Sequence, residues 1–128
     1  MRIEHVAIWT RDLDRLRDFY IAYFGATANE LYKSCRRPFE SYFLTFAADG
    51  GARLELMKLP QLLEPAGPEA VGYAHIAIAV GSRAGVDALT AKLRDAGCPI
   101  LSEPRLTGDG YYESTIGDPD GNTVEITA

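Results

Sequence analysis

Residues 72–80 read GYAHIAIAV, a run of small and branched apolar side chains that predicts a buried strand, with one histidine, His75, set into it. The stretch IEHVAIW at residues 3–9 places His5 in the same setting, 70 residues earlier. A lone histidine in a strand is usually structural. A histidine that recurs in the same strand pattern points instead to a duplicated segment.

Two glutamates recur at the same offset as the histidines. Glu55 lies in the stretch LEL and Glu125 lies in the stretch VEI, again 70 residues apart. The residues expected to stop the two helices, Gly25 and Gly97, differ by 72 positions. Loop variation between copies of a duplicated module would produce this small difference, so the chain is interpreted as an internal repeat.

Each half of the chain is predicted to contain a strand, a helix and three further strands. The first helix covers residues 10–26 with Thr10 or Asp12 as its cap, and the second covers residues 82–97 with Ser82 as its cap. The expected apolar face of the second helix consists of Val86, Leu89 and Leu93. Strands are predicted at residues 3–9, 27–32, 41–48, 52–59, 73–80, 99–104, 110–118 and 123–128. Residues 33–40 are predicted as a loop, and residues 49–51 and 119–122 as turns.

These elements predict a single domain that spans residues 1–128. It consists of module one at residues 1–59, module two at residues 73–128, and a linker at residues 60–72 that is rich in proline.

The composition predicts a globular protein and argues against two classes of partner. Hydrophobic residues make up 47% and charged residues 24% of the 128 positions. A net charge of −5 argues against nucleic acid or an anionic membrane as a partner, and no apolar run approaches the roughly 20 residues of a membrane span. The strand pattern begins directly at the N-terminus, so no signal peptide is expected, and Cys35 and Cys98 do not form a C-x-x-C pair. A cytoplasmic location with two free thiols follows as the expectation.

Strand alternation predicts that all four repeated polar residues share one face. Leu54 and Leu56 flank Glu55 and would pack beneath a helix, which leaves Glu55 on the opposite face. The same alternation applies to His5, His75 and Glu125. An unpaired carboxylate in a sheet interior costs several kcal/mol, so two carboxylates and two imidazoles on one surface favour a divalent cation such as Fe, Co, Ni, Mn or Zn.

The motifs resemble the vicinal oxygen chelate superfamily, which contains glyoxalase I, bleomycin-resistance proteins and extradiol dioxygenases, and are most similar to its glyoxalase I-like members. They are HVAI followed by DLDRLRDFYIAYFGA, then RLEL, YAHIAIAV and DPDGNTVEI, and together they span residues 3–127. The resemblance implies an α+β fold in which two tandem βαβββ modules form a curved, cleft-shaped mixed sheet with helices on its outer face.

The resemblance also implies a metal site and an activity. The metal ligands of glyoxalase I-like proteins fall at His5, Glu55, His75 and Glu125, whereas bleomycin-binding proteins normally lack this set and extradiol dioxygenases use two histidines and one glutamate. The implied activity is that of a lactoylglutathione lyase type of lyase or isomerase acting on a small α-oxo compound or its thiol adduct, with glutathione as one possible thiol. Glu125 is the first choice for the mobile acid or base and Glu55 the second. A homodimer is also implied.

Two alternatives to this activity stay open. One is a thiol transferase of the fosfomycin-resistance kind or an acyl-thioester epimerase. The other is a drug- or metabolite-binding module without catalysis.

The sequence departs from the family pattern at a residue that binds the thiol glutathione. Glutathione-using glyoxalases carry an arginine four residues beyond the first histidine, and here that position is Trp9. Arg11, Arg37 or Arg105 could replace it, although each is more often a surface charge. The predicted lining of a substrate pocket comprises Trp9, Arg37, Phe43, Tyr111 and Tyr112.

Overall fold

The computed structural model describes residues 2–46, 51–64, 67 and 71–128. The chain divides into two compact units, Met1–Glu64 and Pro65–Ala128, called here the first and the second unit. The division between them falls inside the segment 60–72 that the sequence suggested as a linker.

The first unit is a mixed sheet with one helix packed on one face. Its elements are β1 (His5–Trp9), α1 (Leu13–Phe24), β2 (Thr27–Ala28), β3 (Tyr32–Lys33), β4 (Glu40–Thr45) and β5 (Arg53–Lys58). The strand order is β1-β5-β4-β2, with β3 also paired to β4, and β1 runs parallel to β5. The remaining pairs are antiparallel.

The helix of the first unit begins and ends where its sequence directs. The side chain of Asp12 accepts a hydrogen bond from the backbone N–H of Arg15, and Gly25 closes the helix in the left-handed region at φ 65°. Leu16 and Tyr20 of α1 are fully buried, as are Leu44 and Leu56 of the sheet. Leu44 of β4 and Leu56 of β5 therefore face the helix, and the alternate residues face away from it.

The second unit repeats this plan. Its elements are β6 (Ile76–Ala79), α2 (Arg83–Asp95), β7 (Ile100–Leu106), β8 (Tyr112–Gly117) and β9 (Thr123–Thr127). The strand order is β6-β9-β8-β7, and β6 runs parallel to β9. Its fully buried apolar residues are Val86, Leu93, Ile116, Val124 and Ile126. The predicted α+β architecture of two βαβββ modules is confirmed.

The single strand predicted at residues 27–32 is wrong. The structure has two strands of two residues there, because Asn29 interrupts the ladder. The backbone N–H of Asn29 donates to the carbonyl of Phe43, but the N–H of Phe43 donates to the side-chain oxygen of Asn29 at 2.7 Å. The side chain thus replaces a main-chain acceptor, and the chain leaves the regular strand path.

The apolar face predicted for α2 also needs correction. Leu89 is only half-buried, and Thr90 is the fully buried residue beside Val86 and Leu93. Its hydroxyl donates to the carbonyl of Val86 and contacts the hydroxyl of Ser114, both at 2.6 Å. A threonine is acceptable in this core because its polar atom is satisfied there.

The turn predicted at residues 119–122 is confirmed. Gly121 has φ 83°, and the carboxylate of Asp118 accepts hydrogen bonds from the N–H groups of Asp120 and Asn122. The other predicted turn, at residues 49–51, lies mostly outside the described residues. No helix among the described residues is long and apolar enough to span a membrane.

Candidate functional site

The first unit brings His5 and Glu55 together on the sheet face that points away from the helix. Glu55 lies opposite Ala7 in the parallel ladder, two residues beyond His5. Nε2 of His5 lies 3.7 Å from Oε2 of Glu55. The Glu55 side chain is only 12% exposed, so its carboxylate sits low on the sheet, while the imidazole is 39% exposed.

The second unit builds the same pair at the same register. Glu125 lies opposite Ala77, again two residues beyond the histidine, and Nε2 of His75 lies 3.3 Å from Oε2 of Glu125. The Glu125 side chain is 21% exposed, which makes it the more accessible of the two carboxylates. Parallel pairing of the first and last strands of each unit therefore produces an imidazole and carboxylate pair twice.

The geometry of each pair fits two neighbouring ligands of one metal ion. Ligand atoms about 2.1 Å from a metal lie about 3.0 to 3.4 Å apart at octahedral or tetrahedral angles. The observed separations of 3.3 and 3.7 Å need little or no adjustment to meet this range. Across the described parts of the chain no three His, Cys, Asp or Glu side chains form a metal-holding group.

His5 is held from behind by a second carboxylate that the repeat gave no reason to expect. Nδ1 of His5 lies 2.5 Å from Oε2 of Glu4, and Oε1 of Glu4 accepts hydrogen bonds from Arg53. The hydrogen bond from His5 and the neighbouring guanidinium of Arg53 lower the pKa of Glu4. A carboxylate on Nδ1 fixes the ring and leaves Nε2 directed toward Glu55.

Phe43 and Arg53 complete the surroundings of His5. The Phe43 ring meets the imidazole edge to face with centroids 5.3 Å apart, and the Arg53 guanidinium lies 4.1 Å from the Phe43 ring centroid. Phe43 stands opposite Glu55 in the ladder, so it belongs to the same face as the pair.

The face around His75 has a different character. Ala74 occupies the position that corresponds to Glu4, and the neighbouring residues of β6 on this face are small. Thr115 stands opposite Glu125, and Glu113, two residues before it, is almost fully buried. A guanidinium nitrogen of Arg105 lies 3.4 Å from Glu113. The alternation of Glu113 with Thr115 in β8 is the sequence feature that could have identified this second acidic residue.

The residues suggested as pocket lining fall into two groups. Trp9, 45% exposed, and Phe43 lie on the sheet face of the His5 pair. Arg37 is exposed in the loop before β4, and Tyr111 is exposed before β8. Tyr112 lies on the helix side of its sheet, where its hydroxyl donates to Asp87, so it points away from Glu125.

Comparison with known proteins defines the class to which this fold and these pairs belong. Residues 2–126 match the family described as the Glyoxalase/Bleomycin resistance protein/Dioxygenase superfamily. The chain belongs to this superfamily.

Two relatives in sequence span nearly the whole chain. The chain is 32% identical over 129 residues to the uncharacterized protein YwkD of Bacillus subtilis, covering 97% of this chain and 94% of that protein. It is 29% identical over 130 residues to the uncharacterized protein PA2024 of Pseudomonas aeruginosa, covering 98% of this chain and 86% of that protein.

Solved structures include similar enzymes. The trypanothione-dependent glyoxalase I of Leishmania major is 28% identical with a TM-score of 0.79, covering 99% of this chain and 86% of that one. Glyoxalase I of Zea mays is 24% identical with a TM-score of 0.77, covering 98% of this chain and 44% of that one, and it supports the fold alone.

Proposed function

We propose that this chain is a metal-dependent lyase or isomerase of the glyoxalase I type, acting on a small α-oxo compound or its thiol adduct. The observation that carries the proposal is the recurrence of one imidazole and carboxylate pair at the same register in both units. The likeness to a glyoxalase I at 28% identity supports the same reading.

The proposed metal ligands are His5, Glu55, His75 and Glu125, which together would hold one divalent ion. The two units could come from one chain or from the two chains of a homodimer. Two imidazoles and two carboxylates suit Ni, Co, Zn, Mn or Fe and leave positions for a substrate oxygen. A divalent ion there supplies positive charge that polarises this oxygen.

The proposal assigns proton transfer and substrate contact to residues of the protein. In the proposal Glu125 takes the proton from the carbon beside the polarised oxygen and returns it to the neighbouring carbon, because its carboxylate is the more exposed of the two. Glu55, which is nearly buried, is the second choice for this role. The Glu4 carboxylate keeps the His5 ring in place. Trp9 and Phe43, on the His5 face, would contact the body of the substrate.

Metal analysis and a substrate panel test this proposal. Protein purified without chelator is expected to contain about one divalent ion per four-ligand set, to lose turnover in EDTA and to regain it with Ni, Co, Zn, Mn or Fe. The panel pairs methylglyoxal with glutathione and with other thiols, fosfomycin with a thiol, and an epimerisable thioester. Since Trp9 replaces the arginine of glutathione-using enzymes, the panel has to vary the thiol.

Each result separates the proposal from its alternatives. Turnover of fosfomycin alone would replace the proposed lyase activity with a thiol transferase activity. Turnover of the thioester alone would replace it with an epimerase activity. Ligand affinity that EDTA leaves unchanged, together with no bound metal, would make the chain a binding module. A cytoplasmic location stays a prediction that fractionation of cells would test.

A further inference from the structure

A cavity of about 320 Å³ lies at one end of the first unit, beside the loop before β4 and the end of β5. Lys58 lines it from β5, and Ser34 and Phe39 line it from the loop. Strand alternation directs Lys58 to the face opposite Glu55, since Lys58 pairs with Glu40 and Glu55 pairs with Phe43. The cavity is therefore separate from the face of the His5 pair.

The ammonium of Lys58 has no partner in the part of the chain that the structure describes. Glu40, its neighbour across the ladder, is instead paired with Lys33, whose Nζ lies 3.0 Å from Oε1 of Glu40. Lys58 is half-buried, and no described acceptor lies within ion-pair distance of its Nζ. The Lys33 and Glu40 charges cancel, which leaves one positive charge in the cavity.

Ser34 offers a second donor to the same space. Its Oγ accepts hydrogen bonds from the N–H groups of Arg36 and Arg37, at 3.2 and 3.3 Å. A hydroxyl has two acceptor positions and one donor, so only its hydrogen is left to make a further bond. The loop that carries it is fixed by a hydrogen bond from the N–H of Ser34 to the carbonyl of Phe39 at 3.0 Å.

Apolar side chains form another part of the cavity wall. Pro38 and Phe39 come from the loop and Pro60 from the chain after β5. The unpaired ammonium of Lys58, the hydroxyl of Ser34 and these apolar side chains fit a ligand that combines one anionic group with a compact apolar body. The ion-paired side chains of Lys33 and Glu40 also line the cavity, so the single uncompensated charge of Lys58 matches one anionic group.

From this arrangement we infer that the cavity is a binding site for a small organic monocarboxylate, held by the ammonium of Lys58 and the hydroxyl of Ser34. The site is distinct from the proposed metal site, and it gives the first unit a second ligand-binding function. A ligand bound there does not need the His5 pair, so the inference stands or falls independently of the proposed lyase activity.

Benzoate is a suitable probe because benzamide has the same shape without the charge. In ¹H–¹⁵N spectra of the full chain, benzoate is expected to shift the amide signals of Ser34, Phe39 and Lys58. Benzamide is expected to bind about tenfold more weakly or not at all, since the charge-assisted contact is lost. Equal binding of the two probes, or no shifts with benzoate, would overturn the inference.

Substitutions at Lys58 test whether its ammonium binds the carboxylate. Lys58→Met is expected to weaken benzoate binding about tenfold or more, whereas Lys58→Arg keeps the charge and retains binding. Arg36→Met is the matched control, because it removes one positive charge from the same loop without lining the cavity. Unchanged binding in Lys58→Met, or an equal loss in Arg36→Met, would refute a specific site. Shifts confined to His5 and His75 would place the anion at the His and Glu pairs and refute it as well.

Discussion

Oε2 of Glu125, in the last strand of its unit, lies 3.3 Å from Nε2 of His75, which directly precedes the first strand, β6. Parallel pairing of β6 with β9 produces this contact, because it sets Glu125 opposite Ala77, two residues beyond the histidine. The contact joins a proposed metal ligand to the residue proposed to move the proton. Replacing Glu125 by an amide should therefore separate metal binding from turnover.

Glu125→Gln is expected to lower kcat for the best panel substrate by about 10² to 10⁴, since the amide cannot take up a proton. The amide oxygen keeps its shape and can still face a metal, so metal should remain detectable by elemental analysis. Glu103→Gln is the control, because Glu103 is exposed and forms an ion pair with Arg94, and it should leave kcat within about twofold. Full turnover in Glu125→Gln combined with its loss in Glu55→Gln would transfer the role to Glu55.

Glu4→Gln is expected to weaken metal affinity about 10- to 100-fold. Glu4 lies 2.5 Å from Nδ1 of His5, and a carboxylate in this position orients the ring and makes it a better ligand. The affinity for the metal is measured by competition with a chelator whose absorbance changes when it binds the metal. Glu30→Gln removes an exposed carboxylate of the same unit and should leave affinity unchanged. Equal affinity in the wild type and Glu4→Gln would show that Glu4 does not support the proposed ligand.

The sequence predicted the two His and Glu pairs because a repeat and strand alternation act over fixed distances. A constant offset of 70 residues identified them, and the parallel pairing of β1 with β5 and of β6 with β9 explains why histidine and glutamate meet in each unit. Glu4 could not be found in this way, because Ala74 occupies the equivalent position in the second copy. Comparison of the two copies cannot identify a contact that is made in only one of them.

Polar side chains account for the errors in the predicted fold. The strand expected at residues 27–32 is broken because the amide oxygen of Asn29 takes a hydrogen bond from the backbone of Phe43. Thr90 is buried in place of Leu89 because the hydroxyl of Ser114, on another element, lies beside it. Both effects depend on partners that are distant in the chain, and hydrophobic periodicity carries no information on such partners.

Thr90→Val is expected to lower the free energy of unfolding by about 1 to 3 kcal/mol. The hydrogen of the Thr90 hydroxyl is donated to Val86, so the Ser114 hydroxyl donates to Thr90 and would lose its acceptor in a fully buried place. Unfolding by urea measures the change. The double variant Thr90→Val with Ser114→Ala removes the orphaned hydroxyl and should recover part of the loss, and a double variant that is less stable by the sum of both single effects would contradict this account.

Cys98 is expected to react with a thiol reagent at least about tenfold more slowly than Cys35 near pH 8, because the thiolate is the reactive form and access is required. Burial raises the pKa of the Cys98 thiol, and the negative charge of Asp118 adds to this. Its Sγ also lies 3.1 Å from the carbonyl oxygen of Gly117, to which it donates, whereas Cys35 is exposed.

The raised pKa also fixes the direction of the pH dependence. The folded state favours the neutral thiol of Cys98, so its contribution to stability is fully present below the pKa of the unfolded chain and is lost as the pH rises through the folded pKa. Labelling of Cys35→Ser isolates Cys98, and its rate should keep rising above pH 9 in the folded protein. Labelling in urea should abolish the difference between the two thiols, which serves as the control. Equal rates for Cys35 and Cys98 in the folded state would show that the Cys98 thiol is open to solvent.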